Sequence, residues 1–158
     1  MPCDEAIRIV GYDDAHAAAF ERLNRAWLEH YGLFEPGDRP YLERPRQMII
    51  EPGGEIFFAL RGSEVVGTCA ALLRDRETVE LAKLMVQDSV QGQGLGRKLT
   101  EAVIEWARNR RARKVVLVSS TKLQQALRLY ERLGFSYGDL PANTGYETAD
   151  IYMEMMLV

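Results

Sequence analysis

The sequence predicts an α+β domain with a mixed sheet, and three observations carry that reading. Two short reversals join three strand-patterned runs into an antiparallel meander. Amphipathic helical stretches stand on both sides of the meander. A later run is apolar throughout, as in a strand buried on both faces. The 158 residues fit one domain, 1–158, long enough for a core without disulfide or metal staples.

Residues 6–10 form a short apolar strand candidate, with Asp13 or Asp14 placed to cap the helix that follows. Phe20, Leu23, Trp27 and Tyr31 then recur at helical spacing over residues 15–31. Gly32 and the Pro36-Gly37 pair break the chain, and Asp38 opens a second helical stretch to about residue 50. Beyond the Pro52-Gly53-Gly54 turn, strands are expected over 55–61, 64–73 and 78–86, joined through Gly62-Ser63 and the turn at 74–77. A helix places Leu95, Leu99, Ala102, Val103 and Trp106 on one face. Residues 114–118 are the continuous apolar run. A further helix, 123–133, stripes Ala126, Leu129, Tyr130 and Leu133 and stops at Gly134. Strands at 135–138 and 151–158 complete the order β-α-α-β-β-β-α-β-α-β-β, which is α+β.

The bulk properties exclude several functions. A net charge of −3 gives no electrostatic reason to expect nucleic acid as a partner. The basic residues 108–114 end a predicted helix, where cations complement the dipole. Cys3, Cys69, His16 and His30 have no metal-ligand spacing, so no metal is expected; Cys69 lies in an apolar run and reads as a buried small hydrophobe. The N-terminus lacks a signal-peptide profile and no apolar run reaches membrane-spanning length, so a soluble, cytoplasmic chain is expected, with no membrane partner.

The chemistry concentrates in residues 80–97, ELAKLMVQDSVQGQGLGR. An alternating strand runs into glycines at 92, 94 and 96, and a helix starts at once. Bare amides and a helix N-terminus aimed at one point make an anion site, suited to a phosphate or pyrophosphate. A P-loop is excluded because Gly96 is followed by Arg97, Lys98 and Leu99 rather than Lys-Ser/Thr. The dinucleotide fingerprint is excluded because its third glycine position holds Arg97. A tight strand-to-helix connection with no ligand remains the plain alternative.

Gln91, Gly92, Gln93, Gly94, Leu95 and Gly96 have the form Q-x-x-G-x-G, and ALRLYERLGF follows downstream at 126–135. In this order and spacing the pair resembles the GNAT superfamily of acetyl-CoA-dependent N-acetyltransferases, and the likeness spans essentially the whole chain. It implies a mostly antiparallel sheet of about seven strands flanked by about four helices. It also implies acetyl-CoA as cofactor, released as coenzyme A. Gly92 through Arg97 would bind the pyrophosphate through their amides, with Gln91 bracing the loop. Lys98 and Arg97 either add charge there or stand as exposed first-turn cations.

By the same likeness the strand before the loop is bulged and splays from its neighbour. The main chain of Met85 and Val86 then meets the pantetheine arm, and the Leu84 N–H faces the thioester carbonyl, where it stabilises developing negative charge. Family members often carry asparagine at the position of Leu123; Ser119, Ser120 or Thr121 stands near enough in sequence to replace that contact. The resemblance assigns Tyr130 to the thioester sulfur as general acid, against the alternative that it is core. The thiolate leaving group, with a pKa of about 8.5 by analogy with cysteine, leaves more readily when a hydroxyl donates to it.

An attacking primary amine with a pKa of roughly 10 is about a thousandth neutral at pH 7, a deficit of ~4 kcal/mol, so a base is required. Glu80 matches the family's glutamate base; a structural or solvent-facing glutamate is the alternative. Even spacing from Ala82, Leu84 and Val86 puts it on their face. The acceptor site implied by the fold contains Trp27, Tyr31, Phe34, Glu35, Asp38 and Tyr41, with Tyr146, Glu147 and Asp150 from the last loop. Aromatic walls with acidic residues suit a small amine or amino-acid-like acceptor; an amphipathic helix with solvated loop charges has the same composition. A protein or peptide N-acetyltransferase and a non-catalytic acyl-CoA sensor are the other readings. Homodimers are common in the family, and the apolar run at 151–158 offers an edge for one.

Overall fold

The structure, a computed structural model, describes residues 6–157; Cys3 and Val158 lie outside them. Strands β1 (Ile7–Val10), β2 (Glu55–Arg61), β3 (Glu64–Leu73), β4 (Thr78–Val86), β5 (Lys114–Ser119), β6 (Ser136–Gly138) and β7 (Ile151–Met156) form one sheet in the order β1-β2-β3-β4-β5-β7-β6. Every pairing is antiparallel except β4 with β5. The expected bounds of β2, β3 and β4 are met residue for residue. The edge expected at 151–158 is not one, because β7 lies between β5 and β6; the short β6 holds the edge instead.

Helices cover both faces. α1 (Ala17–His30) follows a 3-10 turn, Asp14–His16, whose cap Asp13 accepts from the Ala15 N–H at 2.8 Å. The single stretch expected from Asp38 to residue 50 is instead three pieces: a 3-10 turn Pro36–Asp38, α2 (Arg39–Glu43) and a π-helical turn Arg46–Ile50. Pro45 breaks it, since a proline has no N–H to continue the ladder. Phe20, Leu42, Ile49, Ile56 and Phe58 are fully buried between these helices and one sheet face.

The opposite face carries α3 (Leu95–Asn109) and α4 (Gln124–Leu133). Leu95, Leu99, Val103 and Ala107 of α3 pack there with Val79, Leu81 and Leu117 of the strands. α4 ends at Gly134, φ 103°, whose left-handed conformation lets the Phe135 N–H return to the Tyr130 carbonyl at 3.0 Å. That turn and an edge-on contact between the two rings, 5.6 Å apart, fix Tyr130 at the inner end of the helix.

Candidate active site

Two irregularities of β4 open the sheet. Only Thr78, Val79 and Glu80 stay in register with β5; beyond Glu80 the parallel partners part. On the other side Thr68 faces Met85 while Ala70 faces Ala82, so Lys83 and Leu84 stand opposite a single residue of β3. Lys83 takes φ 55°, a left-handed value rare for a residue with a Cβ, and marks the bulge. The bulge and splay are those the resemblance implied. They leave the main chain of Lys83 and Leu84 outside both registers, at the mouth of the splay.

The bulge also resets the alternation of side chains. Leu81 belongs to the core under α3 and Ala82 to the core under α1, while Leu84 and Val86 return to the α3 side. Glu80 and Ala82 therefore do not share a face with Leu84 and Val86, contrary to the even spacing in sequence. The inserted residue shifts the period by one. The gap still brings Glu80 and Leu84 to one cavity.

Three cavities adjoin in series through the splay. A cleft of about 480 Å³ lies between the glycine loop and α4, lined by Met85, Val86, Gly92, Gly94, Gly96 and Arg97 on one side. Gln91 braces the loop, its Nε2 donating to the Val86 carbonyl at 3.3 Å and to Asp88 at 3.2 Å. Gly92 and Gly94 have φ of 85° and 75°, and a Cβ at either would meet nothing within 4 Å, so the space over these amides is open. The loop delivers that open backbone to the first turn of α3, where the unpaired N–H groups converge. The residues present fit a pyrophosphate. Leu95 lines the cleft while packing into the core, whereas Gln93 and Lys98 line neither the cleft nor the next cavity.

Trp27, Leu84, Leu123 and Ala126 border both this cleft and an inner cavity of about 130 Å³. Tyr130, Ser120, Glu80, Lys83, Asp38 and Tyr146 also line the inner cavity. Tyr130 is 5% exposed, and burial, with the Cys69 thiol nearby, pushes its phenol far above the ordinary value. No described residue bonds its hydroxyl, and none of the described side-chain oxygens that are fully buried lacks a partner, so the hydroxyl opens to the cavity. Cys69 itself is fully buried, and desolvation pushes its thiol up as well.

Tyr41, Glu80, Val118 and Tyr146 border both the inner cavity and an outer vestibule of about 460 Å³. Glu80 Oε1 accepts from Arg74 Nε at 2.8 Å. Lys83 pairs with Asp38, their side chains 9% and 3% exposed, and its ammonium lies 5.3 Å from the Tyr146 ring centroid. Burial, with Asp38 adding, pushes the Tyr146 phenol up.

The remaining residues expected at the acceptor site divide. Trp27, Asp38, Tyr41 and Tyr146 line it. Tyr31 caps the end of α1 and faces the glycine-loop cleft instead. Phe34 points away, under the Arg25 guanidinium at 4.7 Å, because Leu33 takes the inward position of that extended segment. Glu35 is a clasp: its carboxylate accepts from the N–H of Glu147 at 2.8 Å, the N–H of Thr148 at 3.0 Å and the Thr148 hydroxyl. Asp150 binds Thr121, at 2.9 Å from both N–H and hydroxyl, and Ser120 accepts from Lys122 N–H at 3.2 Å.

Sequence reading passed over Lys83, Arg74, Asn24 and Thr68. A lysine amid Leu81, Ala82, Leu84 and Met85 was a visible signal, and so was Asn24, one turn beyond Phe20 on an apolar stripe. Arg74 and Thr68 carried no such mark. Among the described residues no cluster of His, Cys, Asp and Glu could hold a metal, and no helix is long and apolar enough to cross a membrane.

Comparison with known proteins agrees with this geometry. The chain is 30% identical over 144 residues to the uncharacterized N-acetyltransferase YjgM of Escherichia coli, covering 85% of this chain and 86% of that one. It is 37% identical over 87 residues to N-acetyltransferase 8F1 of Rattus norvegicus, covering 52% of this chain and 39% of the relative. The chain spans about two fifths of the length of that relative and of the mouse N-acetyltransferase 8. A Staphylococcus aureus acetyltransferase structure superposes with a TM-score of 0.87 at 21% identity, covering 97% of this chain and all of the other, a likeness of fold. Residues 17–135 match the Acetyltransferase (GNAT) family, so glycine loop, splayed strands and buried tyrosine are those of a chain that belongs to the GNAT acetyltransferases.

Proposed function

We propose that this protein transfers an acetyl group from acetyl-CoA to the primary amine of a small, amino-acid-like acceptor. The observation that carries the reading is the serial passage through the β4–β5 splay, with an anion cradle at one end and a carboxylate, Glu80, at the other. Support for the cofactor comes from a Salmonella typhimurium acetyltransferase of the same fold, TM-score 0.75, whose structure was solved with acetyl-CoA. Support for the acceptor class comes from size: the inner cavity of about 130 Å³ takes the amine end of a molecule and the adjoining vestibule of about 460 Å³ has room for the rest of a small one. A relative from Danio rerio, 38% identical over 88 residues, is named N-acetylaspartate synthetase, after an acetylated amino acid.

Acetyl-CoA, when bound, supplies a thioester whose carbonyl carbon is open to an amine. The amides of Gly92 through Arg97 would hold the pyrophosphate, and the strand edge at Met85 and Val86 the pantetheine. Leu84 N–H, released by the bulge, donates to the carbonyl oxygen as it gains charge. Glu80 accepts the proton that the amine must lose, directly or through water. Tyr130, kept as a neutral phenol by its burial, donates its proton to the departing sulfur. One C–N bond forms and one C–S bond breaks; of the two protons the ammonium loses on becoming an amide, one goes to Glu80 and the other, lost from the adduct, replaces the one Tyr130 gives the sulfur.

The test is coenzyme A release by the full chain across a panel of amino acids, small amines and folded protein acceptors. Turnover with small acceptors is expected. Turnover confined to folded proteins would make the chain a protein N-acetyltransferase, and binding without turnover on any acceptor would make it an acyl-CoA sensor.

A further inference from the structure

Resting on that proposed reaction, we infer that the acceptor is a zwitterionic α-amino compound and that Arg74 sets this specificity by holding its carboxylate. Four charged side chains border the inner cavity and vestibule. Lys83 and Asp38 close on one another and are nearly excluded from solvent, so their charges cancel locally. The pair left facing the passage is Arg74 with Glu80, their side chains 41% and 14% exposed. Glu80 stands where inner cavity and vestibule meet; Arg74 lies on the vestibule side only.

An incoming acceptor meets a positive group and a negative group side by side, with Arg74 Nε 2.8 Å from Glu80 Oε1. An α-amino acid carries the complementary arrangement, carboxylate and ammonium on one carbon. A plain amine brings only positive charge past a guanidinium that repels it. Arginine has five N–H donors in a planar fork; the bond to Glu80 uses Nε and the Tyr41 hydroxyl also lies against the guanidinium, so the remaining donors can take a carboxylate. The amine then lies beside Glu80, on the side that leads to Tyr130. The three tyrosines of the vestibule, Tyr41, Tyr146 and Tyr152, leave room for an apolar or aromatic side chain.

The experiment compares acceptor pairs that differ only in the α-carboxylate, phenylalanine with phenethylamine and leucine with isopentylamine. Coenzyme A release is measured for the wild type, Arg74→Met and Arg74→Lys, each first checked by thermal melting with acetyl-CoA. The wild type is expected to favour the amino acid about tenfold or more in kcat/KM, the scale of a charge-assisted hydrogen bond. Arg74→Met should erase the preference, chiefly through the KM of the amino acid. Arg74→Lys should restore part of it, since an ammonium lacks the fork. The preference is a ratio within one enzyme, so any effect of losing Arg74 on Glu80 cancels. A wild type that prefers the decarboxylated amine, or a preference that survives in Arg74→Met, overturns the zwitterion site and leaves acetyl transfer standing. No release with any pair overturns the small-acceptor reading together with the zwitterion site.

Discussion

The Thr68 hydroxyl donates to the Lys83 carbonyl at 2.8 Å, across the point where β3 and β4 lose register. A bulge strips that carbonyl of its ladder partner, and an unmatched buried acceptor is costly. Thr68 is itself fully buried, and its oxygen accepts from Asn24 Nδ2 at 3.0 Å; the same amide donates to the Phe20 carbonyl at 2.9 Å. A polar chain from α1 thus holds the irregular strand beside Leu84, which lines the cavity. Asn24 also lines the inner cavity, so the chain runs from the cavity wall to the bulge.

Thr68→Val keeps the shape and removes the hydroxyl. It leaves the Lys83 carbonyl and one Asn24 N–H unmatched, so stability should fall by about 1–3 kcal/mol in urea denaturation. If the chain positions the bulge, kcat also falls while acetyl-CoA-induced stabilisation, set by the distant glycine loop, stays. A variant as active as the parent would reduce the Asn24–Thr68 chain to a packing feature.

Tyr130→Phe removes one atom that no described residue bonds, so its melting temperature should stay close to the parent's. Loss of a general acid typically costs about 10²–10⁴ in rate. A drop of about 100-fold in kcat with unchanged acetyl-CoA affinity is expected from stopped-flow and calorimetric measurement. Equal turnover in the two proteins would return Tyr130 to the core.

Lys83→Met leaves Asp38 buried without its cation, and breaking such a pair from one side costs about 3–5 kcal/mol. Adding Asp38→Asn removes the stranded charge while keeping a side-chain oxygen for the Glu35 N–H, which Asp38 Oδ2 accepts at 2.8 Å. The double variant should therefore be more stable than Lys83→Met alone, and its loss should fall short of the sum of the two single losses by roughly 0.5–3 kcal/mol. Additive losses in a double-mutant cycle would mean that the two charges act independently.

The fold was legible where one local rule dominated. Gly62-Ser63 and the turn at 74–77 bounded β2, β3 and β4, and Gly134 ended α4, because turn and cap chemistry is written in single residues. The glycine loop was legible for the same reason, as positive φ at Gly92 and Gly94 demands that residue type. The face of Glu80 was misread because alternation counts residues and a bulge adds one without changing the sequence's appearance. Arg74 escaped because its partner is six positions away in the next strand, a pairing that exists only once the turn is closed. Phe34 and Tyr31 looked like acceptor walls, but which of two neighbouring aromatics faces inward depends on the local backbone, not on composition.

The Glu35 clasp gives the acceptor side a pH limit. Partial burial alone would raise the Glu35 carboxyl, but the Thr148 hydroxyl, the amides of Glu147 and Thr148 and the charge of Lys83 outweigh it and hold the carboxyl below 4.5. A depressed folded value means that the unfolded chain takes up the proton first as pH falls. The clasp's contribution is thus complete above that ordinary value and is lost as pH drops through the lower folded one. Residues 139–150, which carry Tyr146 over Lys83, should then loosen, gaining amide exchange and protease sensitivity as pH falls below the ordinary carboxylate range, in advance of the sheet. Glu35→Gln should loosen the same loop at neutral pH and raise the acceptor KM several-fold with little effect on that of acetyl-CoA. Because glutamine carries no charge at this position, the acid-dependent part of the loosening should vanish in that variant. Acid loosening of equal size in both proteins would assign it to another carboxylate, with Asp150 on Thr121 the next to test.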